Sequence, residues 1–249
     1  MMILSTIPPK DEFFNTILYL LNTYGSFFLR GVFITLLLSV VGTVGGFILS
    51  LLLTIIRNQD IDYKRNSWIN ITYKKIGIGL TKSYITLFRG TPMIVQAMIF
   101  YYGIAPLKLA WWNPLVAGLC VVTLNTTAYI AEVIRSGING IDKGQMEAAR
   151  SLGFSKKQAM FKVIFPQAIK NSLPAIGNEF IVNLKDTAVL SVIGVFDLFK
   201  ATQSATSSNY RPVEGFFIAA VIYLILTFVT SKLVDHLEKR KVKVVPANV

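Results

Sequence analysis

Residues 31–56 read GVFITLLLSVVGTVGGFILSLLLTII, a run without any charged residue between Arg30 and Arg57. A helix crosses the hydrocarbon core of a bilayer with about 20 apolar residues. The run is long enough to do so, and it therefore indicates a protein embedded in a membrane.

Four further apolar runs follow this one along the chain, at residues 90–107, 109–131, 173–199 and 215–231. The composition agrees with them, because 53% of the residues are hydrophobic and only 15% are charged. Soluble domains carry about a quarter charged residues. We predict an all-α membrane protein with one membrane domain and five spans, at residues 31–56, 83–107, 109–135, 173–199 and 213–235.

The positive charge of the chain is concentrated in three polar segments. Residues 57–82, 135–170 and 232–243 hold most of the 25 Lys and Arg residues, and they alternate with poorly charged segments. Basic loops of membrane proteins stay in the cytosol. The net charge of +12 thus indicates topology rather than nucleic-acid binding, with the N-terminus outside and the C-terminus in the cytosol.

The N-terminal region, residues 1–28, precedes the first predicted span. Within it, residues 12–23 place Phe13, Ile17 and Leu21 at near-helical spacing among polar residues. This pattern predicts an interfacial helix on the outer surface, and a sixth span is the alternative. The membrane domain then covers residues 29–238, and residues 239–249 form a basic cytosolic tail.

The cytosolic segment 138–172 carries more local structural information than an ordinary loop. Asp142 with Gln145 has the spacing of a capping box, which starts a helix that Gly153 would end. Ser155 with Gln158 repeats the box and starts a second helix that reaches Pro166. Two short capped helices make a rigid element, which favours docking of a partner over a flexible tether.

The same segment resembles a known family. The runs Gly144-Gln145-Met146-Glu147-Ala148-Ala149-Arg150-Ser151-Leu152-Gly153 and Phe165-Pro166-Gln167-Ala168 resemble the EAA motif of type I ABC-importer permeases, with Val163 and Phe165 where that motif has Ile and Leu. Further runs resemble the polar amino-acid uptake subfamily, whose members carry histidine, glutamine, glutamate, arginine or cystine: Phe88-Arg89-Gly90-Thr91-Pro92, Ala128-Tyr129-Ile130-Ala131-Glu132-Val133-Ile134-Arg135 and Lys185-Asp186-Thr187.

The resemblance covers residues 29–238 and implies the type I ABC importer transmembrane fold. It also implies that residues 147–153 form a coupling helix seated in a cytosolic ATPase. The residues implied in coupling are Gly144, Gln145, Glu147, Ala148, Ala149, Gly153 and Pro166. The implied partners are ABC ATPase subunits, a second permease subunit in a homodimer or heterodimer, an extracytoplasmic substrate-binding protein, the lipid bilayer and an amino acid.

Polar side chains within the apolar runs indicate a water-accessible pathway, because charges at membrane depth are costly unless they face water or a partner. Glu179, Asn183 and Asp186 share one helix face, and so do Asn125, Tyr129 and Glu132. Lys185 and Arg89 are candidate cations for a substrate carboxylate. Alternatively, Arg89 extends to the cytosolic surface, and Lys185 and Asp186 form a structural pair with another helix.

The candidate pathway residues are Arg89, Asn125, Tyr129, Glu179, Asn183, Lys185 and Asp186. Glu132 and Arg135, one turn from the cytosolic end of their span, are expected to serve the junction with the coupling segment.

The sequence predicts a transport subunit rather than an enzyme. Residues 77–83 lack the glycine before lysine that a phosphate loop needs, and His236 has no metal-spaced neighbours. We therefore expect no catalytic residue, metal or cofactor in this chain, with ATP and Mg bound by the partner ATPase. An ion-gradient-driven transporter or channel is the alternative, in which Glu179, Lys185 and Asp186 would relay ions. The sequence leaves the individual substrate open.

Overall fold

The computed structural model describes residues 8–9, 11–59, 67–207 and 209–242, with side chains as far as His236. Helices make up the ordered elements of this part of the chain, and it contains no strand. The helices are α1 (Phe13–Arg57), α2 (Trp68–Gly90), α3 (Met93–Ile104), α4 (Pro114–Asn139), α5 (Lys143–Ser151), α6 (Lys156–Ala159), α7 (Phe165–Asp186), α8 (Leu198–Ser207) and α9 (Pro212–Val242). Two 3₁₀ turns (Ala105–Leu107 and Thr187–Ile193) and a π-helical turn (Met160–Ile164) complete the list.

Three helices within the described residues are long and apolar enough to cross a membrane, namely α1, α4 and Pro212–His236 of α9. The predicted spans 109–135 and 213–235 fall on two of these helices, with α4 starting later than predicted, at Pro114. The helical part of the predicted basic tail ends at Val242, and residues 243–249 lie outside the described residues, as do Lys64 and Arg65 of the first basic segment.

The N-terminal helix is not separate from the first span, and that prediction was wrong. Helix α1 runs unbroken for 45 residues, because no proline interrupts residues 13–57 and its few glycines do not stop a long apolar helix. Its first turns pack against α8 and α9, where Leu20 and Phe28 meet Leu198 and Ile218.

The predicted span 83–107 is two helices rather than one. Helix α2 ends at Gly90, and Thr91 adopts an extended conformation (φ −123°, ψ 143°) before α3 begins at Met93. Pro92 is the cause, since the proline ring disfavours the helical conformation of the residue that precedes it.

The predicted span 173–199 is also not a single helix. Helix α7 begins earlier and ends at Asp186, and a 3₁₀ turn leads to Gly194 in the left-handed region (φ +91°). Asp197 then starts α8, because its carboxylate accepts hydrogen bonds from the backbone N–H groups of Phe199 (3.2 Å) and Lys200 (3.0 Å). Capping of this kind satisfies donors that have no partner within the helix.

The chain divides into two compact units, each with its own core. The first unit comprises Met1–Val41, Met93–Val122 and Ile181–Leu233, and its main cluster joins α3, the first half of α4 and the 3₁₀ turn at 187–193. Gly118 allows the close approach there, since an added Cβ would lie 3.1 Å from the Val195 side chain.

The second unit comprises Gly42–Pro92, Thr123–Phe180 and Val234–Val249. Its cluster centres on Ile130, Ile134 and Ile176, and it joins the ends of α1 and α4 to the start of α7. Gly46 of α1 lets α4 approach, because a Cβ at this position would lie 3.0 Å from Thr126. This unit carries the segment that resembles the EAA motif.

Candidate functional site: the cytosolic segment and its neighbours

Helix α5 starts at a side-chain cap. The Asp142 carboxylate accepts a hydrogen bond from the backbone N–H of Gly144 at 2.7 Å. The predicted box with Gln145 does not form, because the Gln145 side-chain oxygen instead accepts from Nε2 of Gln167 at 3.3 Å. That contact joins α5 to the first turn of α7. The predicted cap at Asp142 is therefore correct, but Gln145 makes a tertiary hydrogen bond instead of a capping bond.

The end of α5 is a complete Schellman turn. Gly153 is left-handed (φ +88°), the N–H of Phe154 bonds to the Ala149 carbonyl (3.2 Å), and the N–H of Gly153 bonds to the Arg150 carbonyl (3.0 Å). These two bonds satisfy carbonyls that the helix end leaves without partners. The predicted stop at Gly153 is therefore confirmed.

The second capping box is present as predicted. Ser155 Oγ accepts from the N–H of Gln158 (3.2 Å), and the Gln158 side-chain oxygen accepts from the N–H of Ser155 (2.8 Å). The helix it starts does not stop at Pro166, contrary to expectation. A π-helical turn, in which the N–H of Phe165 bonds to the Met160 carbonyl, leads directly into α7. This wider turn accommodates a proline that lacks the N–H of a regular α-helix.

One face of α5 projects away from the rest of the chain. Glu147, Ala148 and Gly153 are exposed, and the Leu152 side chain is 81% exposed, whereas Ala149 is buried at 4%. Ala149 thus anchors the helix, and its neighbours leave a small, mixed surface open.

The ends of α1 and α4 are joined by an ion-pair cluster next to this segment. One Glu132 oxygen accepts from Arg57 Nη1 at 2.7 Å, and the other accepts from Arg135 Nε at 2.7 Å. The end of α4 then contacts α7, where Ser172 Oγ donates to the Val133 carbonyl at 3.4 Å. Residues 57, 132 and 135 thus hold together the helices that lead into the cytosolic segment.

Three of the predicted pathway residues lie together in the second unit. The Arg89 guanidinium stacks on the Tyr129 ring, 5.4 Å from its centroid, and Asn125 Nδ2 donates to the Phe88 carbonyl at 3.4 Å. Helices α2 and α4 are also joined by Tyr84, whose hydroxyl donates to the Leu124 carbonyl at 2.6 Å. The sequence predicted Arg89, Asn125 and Tyr129 as pathway residues, but it predicted neither their contacts nor the role of Tyr84.

A cavity of about 630 Å³ opens beside this group. Its walls are formed by side chains of α1, α2 and α4, namely Arg57, Lys82, Ile85, Thr86, Arg89, Gly90 and Glu132. The sequence had singled out Arg89 and Glu132, but Lys82 and Arg57 were read only as topology charges. Helical spacing places Lys82 and Arg89 on one face of α2, but only the folded chain brings Arg57 and Glu132 to the same cavity.

The remaining predicted pathway residues lie on α7. Glu179 is half-buried and belongs to the second unit. Asn183, Lys185 and Asp186 belong to the first unit, where Asn183 is buried and the other two side chains are exposed. The last turn of α7 thus presents both charges of the Lys185-Asp186 pair at the surface of this chain.

Comparison with known proteins gives the same picture. A family model described as the binding-protein-dependent transport system inner membrane component matches residues 67–243. The probable glutamine ABC transporter permease GlnM of Bacillus subtilis is 36% identical over 86% of this chain and 93% of its own length. The arginine transport system permease ArtQ of Bacillus subtilis is 35% identical, over 86% and 92% respectively.

Among solved structures, the crystal structure of an amino acid ABC transporter with histidines has a TM-score of 0.79 and 37% sequence identity. The match covers 93% of this chain and 100% of that one. The fold is therefore that of the transmembrane subunit of an ABC importer, and the chain belongs to the family of inner membrane components of binding-protein-dependent transport systems.

Proposed function

We propose that this chain is the permease subunit of an ATP-driven importer that carries amino acids, and that α5 is the helix gripped by its ATPase. The exposed, doubly capped α5 carries the proposal. Its ends are fixed by Asp142 and by the Schellman turn at Gly153, while Glu147 and Leu152 remain available for contact. The relatives named for glutamine and arginine transport support an amino acid as substrate.

Rigid capping suits the transmission of force. The bond between Gln145 and Gln167 joins α5 to α7, and helical structure continues from Lys156 to Asp186 through the π-helical turn. A displacement of α5 would thus be passed along α7 rather than absorbed by a loop. Alternating access then requires that bound nucleotide and loaded binding protein both favour the outward-open state.

The partners follow from this role. ABC ATPase subunits would bind ATP and Mg and hold α5, a second permease subunit would complete the pathway, and an extracytoplasmic protein would deliver the amino acid. The three basic segments would place the C-terminus in the cytosol and the N-terminus outside the cell membrane. Arg89, Asn125, Tyr129, Glu179, Asn183, Lys185 and Asp186 remain the candidates for the pathway lining.

The decisive variant is Glu147→Lys in the complex reconstituted with ATPase and binding protein. We expect the variant to insert and assemble but to lose uptake coupled to ATP hydrolysis, because the charge on the docking face is reversed. Asp235→Lys makes the same charge change at an exposed site on α9 and should leave uptake normal.

Two results would contradict the proposal. Uptake per ATP equal to wild type in Glu147→Lys would exclude α5 as the coupling helix. Substrate uptake by the purified chain alone, driven by an ion gradient, would instead favour a secondary transporter.

A further inference from the structure

The cavity between the ends of α1, α2 and α4 has an unbalanced charge. Its walls carry three cations, Arg57, Lys82 and Arg89, and a single carboxylate, Glu132. Ile85 is the single aliphatic side chain among the lining residues. A cavity lined by an excess of positive charge attracts anions from solution.

Glu132 does not neutralise the remaining cations. One of its oxygens is occupied by Arg57 at 2.7 Å and the other by Arg135 at 2.7 Å. Among the described side chains, no carboxylate lies within 4.0 Å of Lys82 or Arg89. Two positive groups therefore remain available at the cavity wall.

These groups are positioned to act together. Lys82, Thr86 and Arg89 stand at i, i+4 and i+7 of α2, on one face of the helix. The Arg89 guanidinium carbon lies over the Tyr129 ring, 5.4 Å from its centroid, which holds this side chain at the cavity wall. The forked donors of an arginine match the paired oxygens of a carboxylate or phosphate.

The cavity faces away from the apolar side of α2. Five exposed apolar side chains form a stripe along this helix: Ile69, Tyr73, Ile76, Leu80 and Leu87. At about 100° per residue, Lys82 and Arg89 lie roughly 160° around the helix from the centre of that stripe. The stripe is the surface suited to lipid, so a ligand reaches the cavity from water.

We propose that this cavity is a binding site for a small water-soluble anion, whose carboxylate or phosphate oxygens contact Lys82, Arg89 and the Thr86 hydroxyl. A cationic ligand is disfavoured, because Glu132, the one carboxylate among the described lining residues, is already held by two arginines. The site shares Arg89 with the candidate pathway of the proposed function, but the proposal rests on the charge and shape of the cavity, and its binding test requires no transport.

Binding is measured by isothermal titration calorimetry of the whole chain in phosphatidylcholine nanodiscs, with inorganic phosphate, L-glutamate and L-arginine as probes. We expect saturable binding of phosphate, glutamate or both, none of arginine, and weaker binding at higher ionic strength. Lys82→Gln and Arg89→Gln should each weaken binding about tenfold or more. Lys75→Gln removes the same charge from α2 outside the cavity and should change little.

Glu132→Gln provides a test of opposite sign. Loss of its charge releases Arg57 toward the cavity, so the anion should bind several-fold more tightly. Nonspecific attraction to a basic surface would not depend on this one position. Preference for phosphate or for glutamate then distinguishes the two sources of the oxyanion. Absence of saturable binding, equal losses in Lys75→Gln, or occupation only when phosphatidylglycerol is added to the nanodisc would each overturn the proposal.

Discussion

Replacing Gly153 with alanine should loosen the end of α5 without disturbing its surroundings. Gly153 has φ +88°, and an added Cβ would meet no atom within 4 Å. The cost is therefore conformational rather than steric, roughly 1–2 kcal/mol for an L-residue in the left-handed region. A difference of that size shifts a local equilibrium by a factor of about 5 to 30.

The effect is visible in hydrogen exchange and in transport. The amides of Gly153 and Phe154 close the Schellman turn, so peptides covering residues 143–158 should exchange faster in Gly153→Ala by about that factor. Uptake per ATP hydrolysed in the reconstituted complex should fall, because a frayed α5 transmits displacement poorly. Gly153→Asn should lie between wild type and alanine, since asparagine tolerates the left-handed conformation better.

The matched control is Gly79→Ala in α2. A Cβ at Gly79 also meets nothing within 4 Å, but the residue lies in a regular helix, where alanine is favoured by about 1 kcal/mol. It should therefore leave exchange in α5 and uptake unchanged. Equal exchange at residues 143–158 in Gly153→Ala and wild type would refute the argument that this turn fixes the helix end.

Three further outcomes follow from the second unit. Gly137→Ala should lower the free energy of unfolding by about 1–3 kcal/mol, measured as a lower thermal midpoint. The added Cβ would lie 2.9 Å from the Ala168 carbonyl oxygen and 2.3 Å from Ser172 Oγ. The double variant with Ser172→Ala should recover only part of this loss. Glu132→Gln should cost about 1 kcal/mol, since both of its partially exposed ion pairs weaken, and an unchanged midpoint would argue against the cluster as a clamp. Ser155→Ala should cost about 1 kcal/mol and speed amide exchange at residues 156–159, whereas Ser155→Thr keeps the hydroxyl and should resemble wild type.

The local features of the cytosolic segment were predictable because short-range bonds set them. The hydrogen bonds that start and end these helices, at Asp142, at Gly153 and between Ser155 and Gln158, join residues no more than five positions apart. Gln145 was assigned to a local box and instead bonds 22 residues away. The error arose because two partners compete for one side chain, and local spacing does not rank them.

The spans were predicted with less accuracy at their ends. Hydropathy located the apolar runs, but the predicted span 83–107 includes Pro92, where α2 and α3 separate. It also treated residues 173–199 as one helix, although α7 ends at Asp186. The opposite error occurred at Pro166, where a π-helical turn lets the helix continue.

The amino-acid sequence alone was enough to predict that the chain enters a membrane and that it carries two capped helices in a basic segment. Both properties follow from composition and from contacts between near neighbours in the chain. Only the folded chain brings Arg57 to Glu132, 75 residues away, and places Lys82 and Arg89 in one cavity, where no carboxylate of the described side chains lies within 4.0 Å of either. Charge pairing depends on distances in space, and for groups on different helices those distances are set by the packing of the helices.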